Sequence, residues 1–407
     1  MPLSGCLAAT KTKSKPAFTA EDLAHWAALG RFREALDGAR RHLPGHRSFG
    51  DPKRRLALGD YLGLFLLGLF SPVARTLRGL VQASLLPKVQ RAVCSRPVSL
   101  GSFSETQELV DLALLERVFA GLAGRLPARG ALPAALRTQR WMARDSSLFA
   151  ALPRMAWALY GGGREGCANH AVRLHVSLDL AKDAPASVQI TPGKSCERAT
   201  LRAHLRPGDA YVCDRYYGEH HAFFTLLRRR GCHYLIRLMD RGAEPAVLEE
   251  LPVSARERAA GIERQAMARL GSARTLSEVL RVIWVRGQNG QLLLLATDLD
   301  SAQLGAADAA LLYRHRWQVE YFFRWLKCLM GCGHWIAEGP KGAAIQLYLA
   351  LIGALLLELD LGYRPSKRVW ELLQWHLGGA IDAQTLAQLL NKQLAAEEQR
   401  RASKKAR

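Results

Sequence analysis

Between Leu311 and Met330 the chain reads LLYRHRWQVEYFFRWLKCLM, a mixture of residue types suited to gripping and reacting with an anionic substrate. One carboxylate, Glu320, is spaced with Tyr313, Arg316 and Lys327 so that, at roughly 100° per residue, all four share one helical face. With Tyr313 at zero, the same count puts Arg316, Lys327 and Glu320 near ~300°, ~320° and ~340°. The apolar residues Leu312, Val319, Phe322, Leu326, Leu329 and Met330 fall at roughly 160–260°, the face a helix lays onto a core. The spacing predicts a single helix that holds one acid among cations. An ordinary amphipathic helix with an Arg316–Glu320 ion pair has the same pattern, so the surrounding elements must decide.

Two more carboxylates stand at expected strand ends. TQRWMARDSSLFAAL opens as a short strand ending at Asp145, and residues 210–213, AYVC, form a buried strand that Asp214 closes. Between them, residues 171–180 (AVRLHVSLDL) and 186–191 (ASVQIT) alternate as strands, with GGGREG and TPGKS read as hairpin connections. TPGKS is no phosphate-binding P-loop, because Val188 stands where the leading glycine belongs. EHHAFFTLLRRRGC then fits a helix closed by Gly231, and HYLIRLM a strand. Three antiparallel strands, a further strand and a later helix make the order of a ribonuclease H-like fold, in which the first and fourth strands lie side by side and their terminal acids converge. Three hard oxygen donors without Cys or His suit Mg²⁺, with Mn²⁺ able to substitute, and paired ions can clamp both oxygens of an in-line displacement at phosphorus. Asp145 also reads as a helix N-cap, which leaves Asp179 as rival first carboxylate. On the second strand, Asp179 would lie at the wrong end of the hairpin. Trp317 reads as a packing residue.

Composition names the partner. Across 407 residues, 57 Lys and Arg against 36 Asp and Glu give a formal charge of +21, which self-repels unless a polyanion such as nucleic acid is bound. The N-terminal MPLSGCLAATKTKSK lacks the apolar core of a secretion signal. Tyr61–Val73 is short and interrupted by Pro72, while Ala343–Leu361 carries Gln346, Glu358 and Asp360, so neither is read as a membrane span. The eight cysteines form no CxxC pair. Cys328, Cys332 and His334 lack the second cluster a zinc site needs, and reduced thiols of a cytoplasmic protein are expected.

The expected organisation is α/β: a ribonuclease H-like catalytic domain with a β-rich insertion, preceded by an all-helical N-terminal domain. A flexible leader (1–16) precedes helical residues 17–135, whose Arg and Lys could touch DNA phosphates or form a solvated face, and where Ser104 and Gln107 could form a capping box. Residues 136–235 and 305–365 make the two parts of the core. The insertion, 236–304, contains VLRVIWVRG and QLLLLAT joined by GQNG. Residues 366–407 are helical and end in the basic tail QRRASKKAR, which adds weak phosphate affinity.

The helix pattern Y-x2-R-x3-E-x6-K and the upstream LRPGDAYVCDRYYGEHHAFFTLLRRRGCHYLIRL resemble the DDE transposases of bacterial insertion sequences, in particular insertion sequence family four with its Tyr-Arg-Glu-Lys signature. RDSSLFAALP with HAVRLHVSLDL is similar to the first-Asp block, and DYLGLFLLGLFSPVARTLRGLVQAS to the helical leader, so the likeness covers most of the chain. It implies that Asp145, Asp214 and Glu320 bind the metal ions, and that Arg316, Lys327 and Tyr313 contact the DNA strand at the element's end. It implies a cytoplasmic, nucleoid-associated enzyme acting on inverted terminal repeats and target DNA, as a homodimer on DNA. Some relatives hold a flipped base with an aromatic on the last insertion strand; here Gln291–Ala296 has none, and the role does not carry over to Trp284. A stand-alone nuclease of the same fold and a catalytically silent DNA-binding regulator are the competing functions.

Overall fold

The computed structural model describes residues 27–43, 56–71, 73–128, 132–162, 168–239, 244–271, 278–287, 290–329 and 334–405. The leader, Pro44, the 50–52 break, Pro72, Cys332 and Met330 lie outside them. Helices come first: α1 (Ala27–Arg41), α2 (Leu58–Phe70), α3 (Leu77–Ala83), α4 (Pro87–Ala92), α5 (Leu100–Leu109) and α6 (Leu112–Arg125). What reads as one helix through LVQASLLPKVQ is two, because Pro87 has no N–H to continue the ladder and instead takes the first turn of α4. The Ser104–Gln107 capping box is not formed. The helix begins earlier, at Leu100, where the Ser99 side chain accepts the Ser102 N–H at 3.1 Å. Asp111 caps the next helix, accepting from the Ala113 N–H at 2.9 Å.

A ten-stranded sheet follows, made of β1 (Arg140–Ala150), β2 (Leu159–Gly162), β3 (Ala168–Asp179), β4 (Ala184–Pro192), β5 (Asp209–Cys213), β6 (His233–Arg237), β7 (Ala246–Leu251), β8 (Ile262–Arg269), β9 (Leu280–Arg286) and β10 (Leu292–Thr297). Its order is β2-β3-β1-β5-β6-β10-β9-β8-β7, with β4 also on β3. β1 is antiparallel to β3 and parallel to β5, and β5 is parallel to β6. The strands read as an insertion extend this same sheet, because β10 pairs with β6 through Thr297–Leu295 against Leu235–Arg237. β2 and β3 pair antiparallel, and residues 163–166 of GGGREG between them lie outside the described residues. TPGKS joins no hairpin: it runs from β4 into α7 (Glu197–Ala203). Helices α8 (Ala222–Arg229), closed by Gly231 at φ 67°, and α9 (Ala255–Ala259) complete the middle of the chain.

After the sheet come α10 (Ala306–His315), α11 (Gln318–Leu329), α12 (Pro340–Leu361), α13 (Lys367–Leu377) and α14 (Ala383–Lys405). One sheet face and the helices share a continuous core that runs from Phe32 and Phe65 through Ala143, Val212 and Leu235 to Leu326 and Leu355. The opposite face packs Met142, Tyr211, Ile236 and Val282 against Phe224 and Leu227 of α8. With both faces covered, β5 is buried at every position, which is why it reads as a continuous apolar run. Helix α12 is long and apolar enough to cross a membrane by length and composition, but 94% of its most apolar window is buried inside the protein.

Candidate active site

The parallel ladder between β1 and β5 stops at Arg144 opposite Cys213. The next residues along each strand are Asp145 and Asp214, so register alone puts these acids side by side. Asp145 is not at its strand's end as the sequence suggests: β1 runs on to Ala150 on its β3 partner. What ends there is the pairing with β5, and that is what opens the space for a side chain. Alternation puts Ala143 and Asp145 on the face covered by α11, and Arg144 and Cys213 on the other. Asp179 stands opposite Met142 at the far end of β1, where its Oδ1 accepts the N–H groups of Ala181 and Lys182 at 2.9 and 3.1 Å. It is a turn carboxylate.

The signature segment is two helices. At Arg316 and Trp317 the ladder tightens: the Arg316 N–H reaches both Leu312 and Tyr313 carbonyls at 3.2 Å, and Val319 and Glu320 N–H bond Arg316 and Trp317 carbonyls at 3.1 Å. Tyr313 therefore belongs to α10 and Glu320 to α11, and the single wheel does not describe them. They still meet, because Arg316 sits at the joint. Its Nη2 donates to Glu320 Oε1 at 2.8 Å and its Nη1 to Asp145 Oδ2 at 3.2 Å, while its guanidinium lies 5.7 Å from the Tyr313 ring centre. Behind it Val319, Phe322 and Leu326 are fully buried. Lys327, two turns along α11, has its Nζ 5.4 Å from the Phe149 ring on β1. Trp317 does not pack inward; it is 48% exposed, 5.3 Å from the Arg316 guanidinium.

The electrostatics centre on Asp145, whose pKa is pushed up to about 7. Burial is the main cause, Asp214 and Glu197 add to it, and Arg316 with the Ser146 N–H opposes it. Burial works against the Arg316 charge too, but Tyr313, Asp145 and Glu320 together hold its pKa above the usual arginine value. Asp214 Oδ1 accepts the Tyr216 N–H at 3.0 Å. As the side chains stand, no three His, Cys, Asp or Glu residues among the described ones are close enough to hold a metal ion together. Asp145 and Glu320 are instead joined through one guanidinium. Cys94, Cys196, Cys213, Cys232 and Cys328 are free thiols, and His334 bonds the Arg75 carbonyl at 2.5 Å.

Sequence reasoning missed a second ion pair at this edge. Arg173 donates to Glu197 at 2.6 Å and to Ser146 beside Asp145 at 2.9 Å. The signal was an arginine inside the alternating HAVRLHVSLDL strand. Arg237, which bonds the Tyr313 side chain, was also missed. Its carbonyl lies against Gly218, in the turn after Asp214, where an added Cβ would collide with it. Gly218→Ala is expected to cost about 1–3 kcal/mol by overpacking, read as a lower Tm in a calorimetric melt; an unchanged Tm would show that the turn can give way.

A family model described as a transposase DDE domain matches residues 139–357, more than half of the chain. A Sinorhizobium fredii (strain NBRC 101917 / NGR234) protein named as a transposase is 26% identical over 301 residues, spanning 70% of this chain and 82% of its own. A Geobacillus stearothermophilus protein named as the transposase for an insertion sequence element is 26% identical over 207 residues, spanning 50% of this chain and 52% of its own. Among solved structures, the piggyBac transposase synaptic complex with hairpin DNA aligns at TM-score 0.41 and 10% identity, covering 92% of this chain and 84% of that one.

Proposed function

The chain belongs to the transposase DDE domain family, and from that premise we propose that it binds the inverted terminal repeats of an insertion sequence and catalyses metal-dependent strand cleavage and strand transfer, as a homodimer on cytoplasmic, nucleoid DNA. The observation that carries this reading is the meeting of Asp145 and Asp214 where the parallel ladder stops, with Glu320 held to Asp145 through Arg316. The strand order β4-β3-β1-β5-β6 supports a ribonuclease H-like core in residues 136–235 and 305–365, with 236–304 as the insertion, 17–135 as the DNA-binding helices and 366–407 as the C-terminal segment. The spacing of Tyr313, Arg316, Glu320 and Lys327 supports membership of the Tyr-Arg-Glu-Lys group, insertion sequence family four.

The residues fit a divalent cation by chemistry. Their donors are all carboxylate oxygens, and the raised Asp145 pKa, caused chiefly by burial, marks a carboxylate whose charged form Arg316 does not fully stabilise. Asp145, Asp214 and Glu320 would hold Mg²⁺, or Mn²⁺ in its place. The ion would supply charge neutralisation at phosphorus and a more acidic water. The protein's own part is positional. Arg316 exchanges its two carboxylates for a backbone phosphate, which frees Asp145 and Glu320 to converge, and Lys327 takes a neighbouring phosphate. Tyr313, beneath the Arg316 guanidinium, contacts the same strand.

The test is nicking of a plasmid that carries the flanking repeats, in Mg²⁺ and in EDTA, followed by joining of a pre-cut end. Metal-dependent nicking with a strand-transfer product is expected. Cleavage without joining would leave a nuclease, and repeat binding without either reaction a silent regulator; both overturn the reading.

A further inference from the structure

The N-terminal helices present a feature that the chemistry of the carboxylates does not use. The turn between α3 and α4 carries two adjacent leucines, Leu85 and Leu86, that are 51% and 55% exposed. This is not a loose loop. The Ser84 hydroxyl, fully buried, donates to the Val81 carbonyl at 2.6 Å and accepts the Val98 N–H at 3.0 Å. The Gln90 side chain holds the Ser84 carbonyl at 2.9 Å, and Leu85 and Leu86 N–H bond the Gln82 and Ala83 carbonyls at 3.1 and 3.0 Å. Pro87 then fixes the first turn of α4. The turn is rigid, and it points its apolar tip at solvent.

What surrounds the tip says what it meets. From Tyr61 to Ser104 the chain has no Asp or Glu, while Arg75, Arg78, Lys88, Arg91 and Arg96 all fall within that stretch. Arg78, Lys88, Arg91 and Arg96 are exposed, and no carboxylate among the described residues pairs with them. The bond from Val98 to Ser84 brings the Arg96 segment back beside the turn. An apolar tip ringed by unneutralised cations is complementary to a polyanion with an apolar interior. Asp60 reaches this segment, accepting the Ser95 N–H and hydroxyl at 3.1 and 2.8 Å, but pairs with none of the four cations. A second copy of the chain is a poor occupant, because a two-fold contact would set Arg78, Lys88, Arg91 and Arg96 against their own copies.

We propose that the α3–α4 turn is a DNA wedge, with Leu85 and Leu86 entering between base steps from the minor groove while Arg78, Lys88, Arg91 and Arg96 hold the flanking phosphates. The proposal rests on the DNA-handling function above but not on its cleavage chemistry. Wedging unstacks a base step, so binding favours a duplex in which that cost is already met.

The test measures equilibrium binding of the full chain to two duplexes of about 30 base pairs, one fully paired and one with a central mismatch, across a salt series in EDTA so that no cleavage occurs. Wild type is expected to prefer the mismatched duplex by about tenfold, given the unstacking cost of a step. Leu85→Ser with Leu86→Ser should erase the preference and keep the salt slope. Lys88→Ala with Arg91→Ala should weaken both complexes, keep the preference, and flatten the slope of log K against log salt by about 2. All these side chains are exposed, and an unchanged Tm verifies that the variants fold. The wedge is overturned if the leucine variant matches wild type on both duplexes, if its only loss is binding to phosphatidylserine vesicles, or if only its mass in sedimentation changes. Loss of cleavage in any variant does not bear on it, and a chain that shows the preference without cleaving would sink the catalytic reading alone.

Discussion

Asp214→Asn and Glu320→Gln are each expected to lower strand cleavage by at least about 10²–10³-fold, the scale seen when one preorganised electrostatic group is removed from a reaction centre. Both substitutions delete a charge and spare the local hydrogen bonds. An asparagine at 214 still offers an oxygen to the Tyr216 N–H, which now sits 3.0 Å from Oδ1. A glutamine at 320 still offers one to Arg316 Nη2, at 2.8 Å in the native chain. Repeat binding and Tm should therefore hold while cleavage falls, and the double variant should be little worse than either single one, because groups that act as a unit are not additive. Single-turnover nicking beside a thermal melt separates these outcomes. Undiminished nicking in both variants removes the carboxylates from the chemistry; loss of nicking together with loss of Tm makes their role structural.

The strands that could be read from the sequence are those whose pattern is local. AVRLHVSLDL and ASVQIT alternate because each lies against β3 or β1 with unequal faces, and they appear as β3 and β4. The position of Asp145 within its strand was not local. Where β1 stops pairing with β5 depends on residues 209–213, and no pattern in TQRWMARDSSLFAAL carries that information. The joint at Arg316–Trp317 has no Gly or Pro to mark it, and a tightening to i→i−3 bonds leaves the apolar period almost intact, so one helix and two look alike. Arg316 and Glu320 were legible as an i,i+4 pair; the third partner, Asp145, lies 171 residues away. Helix α7 and Glu197 were missed because TPGKS has turn composition and reads as a hairpin connection, which leaves the residues before the 210–213 strand without an element. For Asp145 the missing information sat in a contact between distant segments; for the joint and α7 it sat in local geometry that composition does not mark.

Asp145→Asn is expected to match wild type in stability at pH about 4 and to exceed it at pH 8 in the absence of divalent ions. In the folded chain Asp145 gives up its proton only near pH 7, against an ordinary value of 3.8 that the unfolded chain keeps. Between these values the folded state holds a proton that the unfolded state has released, so each step up in pH favours unfolding. Below 3.8 both states are protonated and the penalty vanishes; above 7 it is complete. With the side chain only 18% exposed, solvent screens little of it, and the penalty at pH 8 is on the order of 1–4 kcal/mol at 1.36 kcal/mol per pKa unit. Asparagine keeps the shape and an acceptor for Arg316 Nη1 without the charge, so its melt at pH 8 should lie a few degrees higher. A divalent cation stabilises the charged form and should narrow this gap by raising the wild-type Tm at pH 8 while leaving the variant's almost unchanged. Because the cation stabilises the charged form, wild-type cleavage in Mg²⁺ is expected to climb with pH at values below the ion-free titration of Asp145. Equal melts at pH 8, with or without Mg²⁺, would show that Asp145 is compensated in the resting protein and that its charge is not held in reserve for an ion.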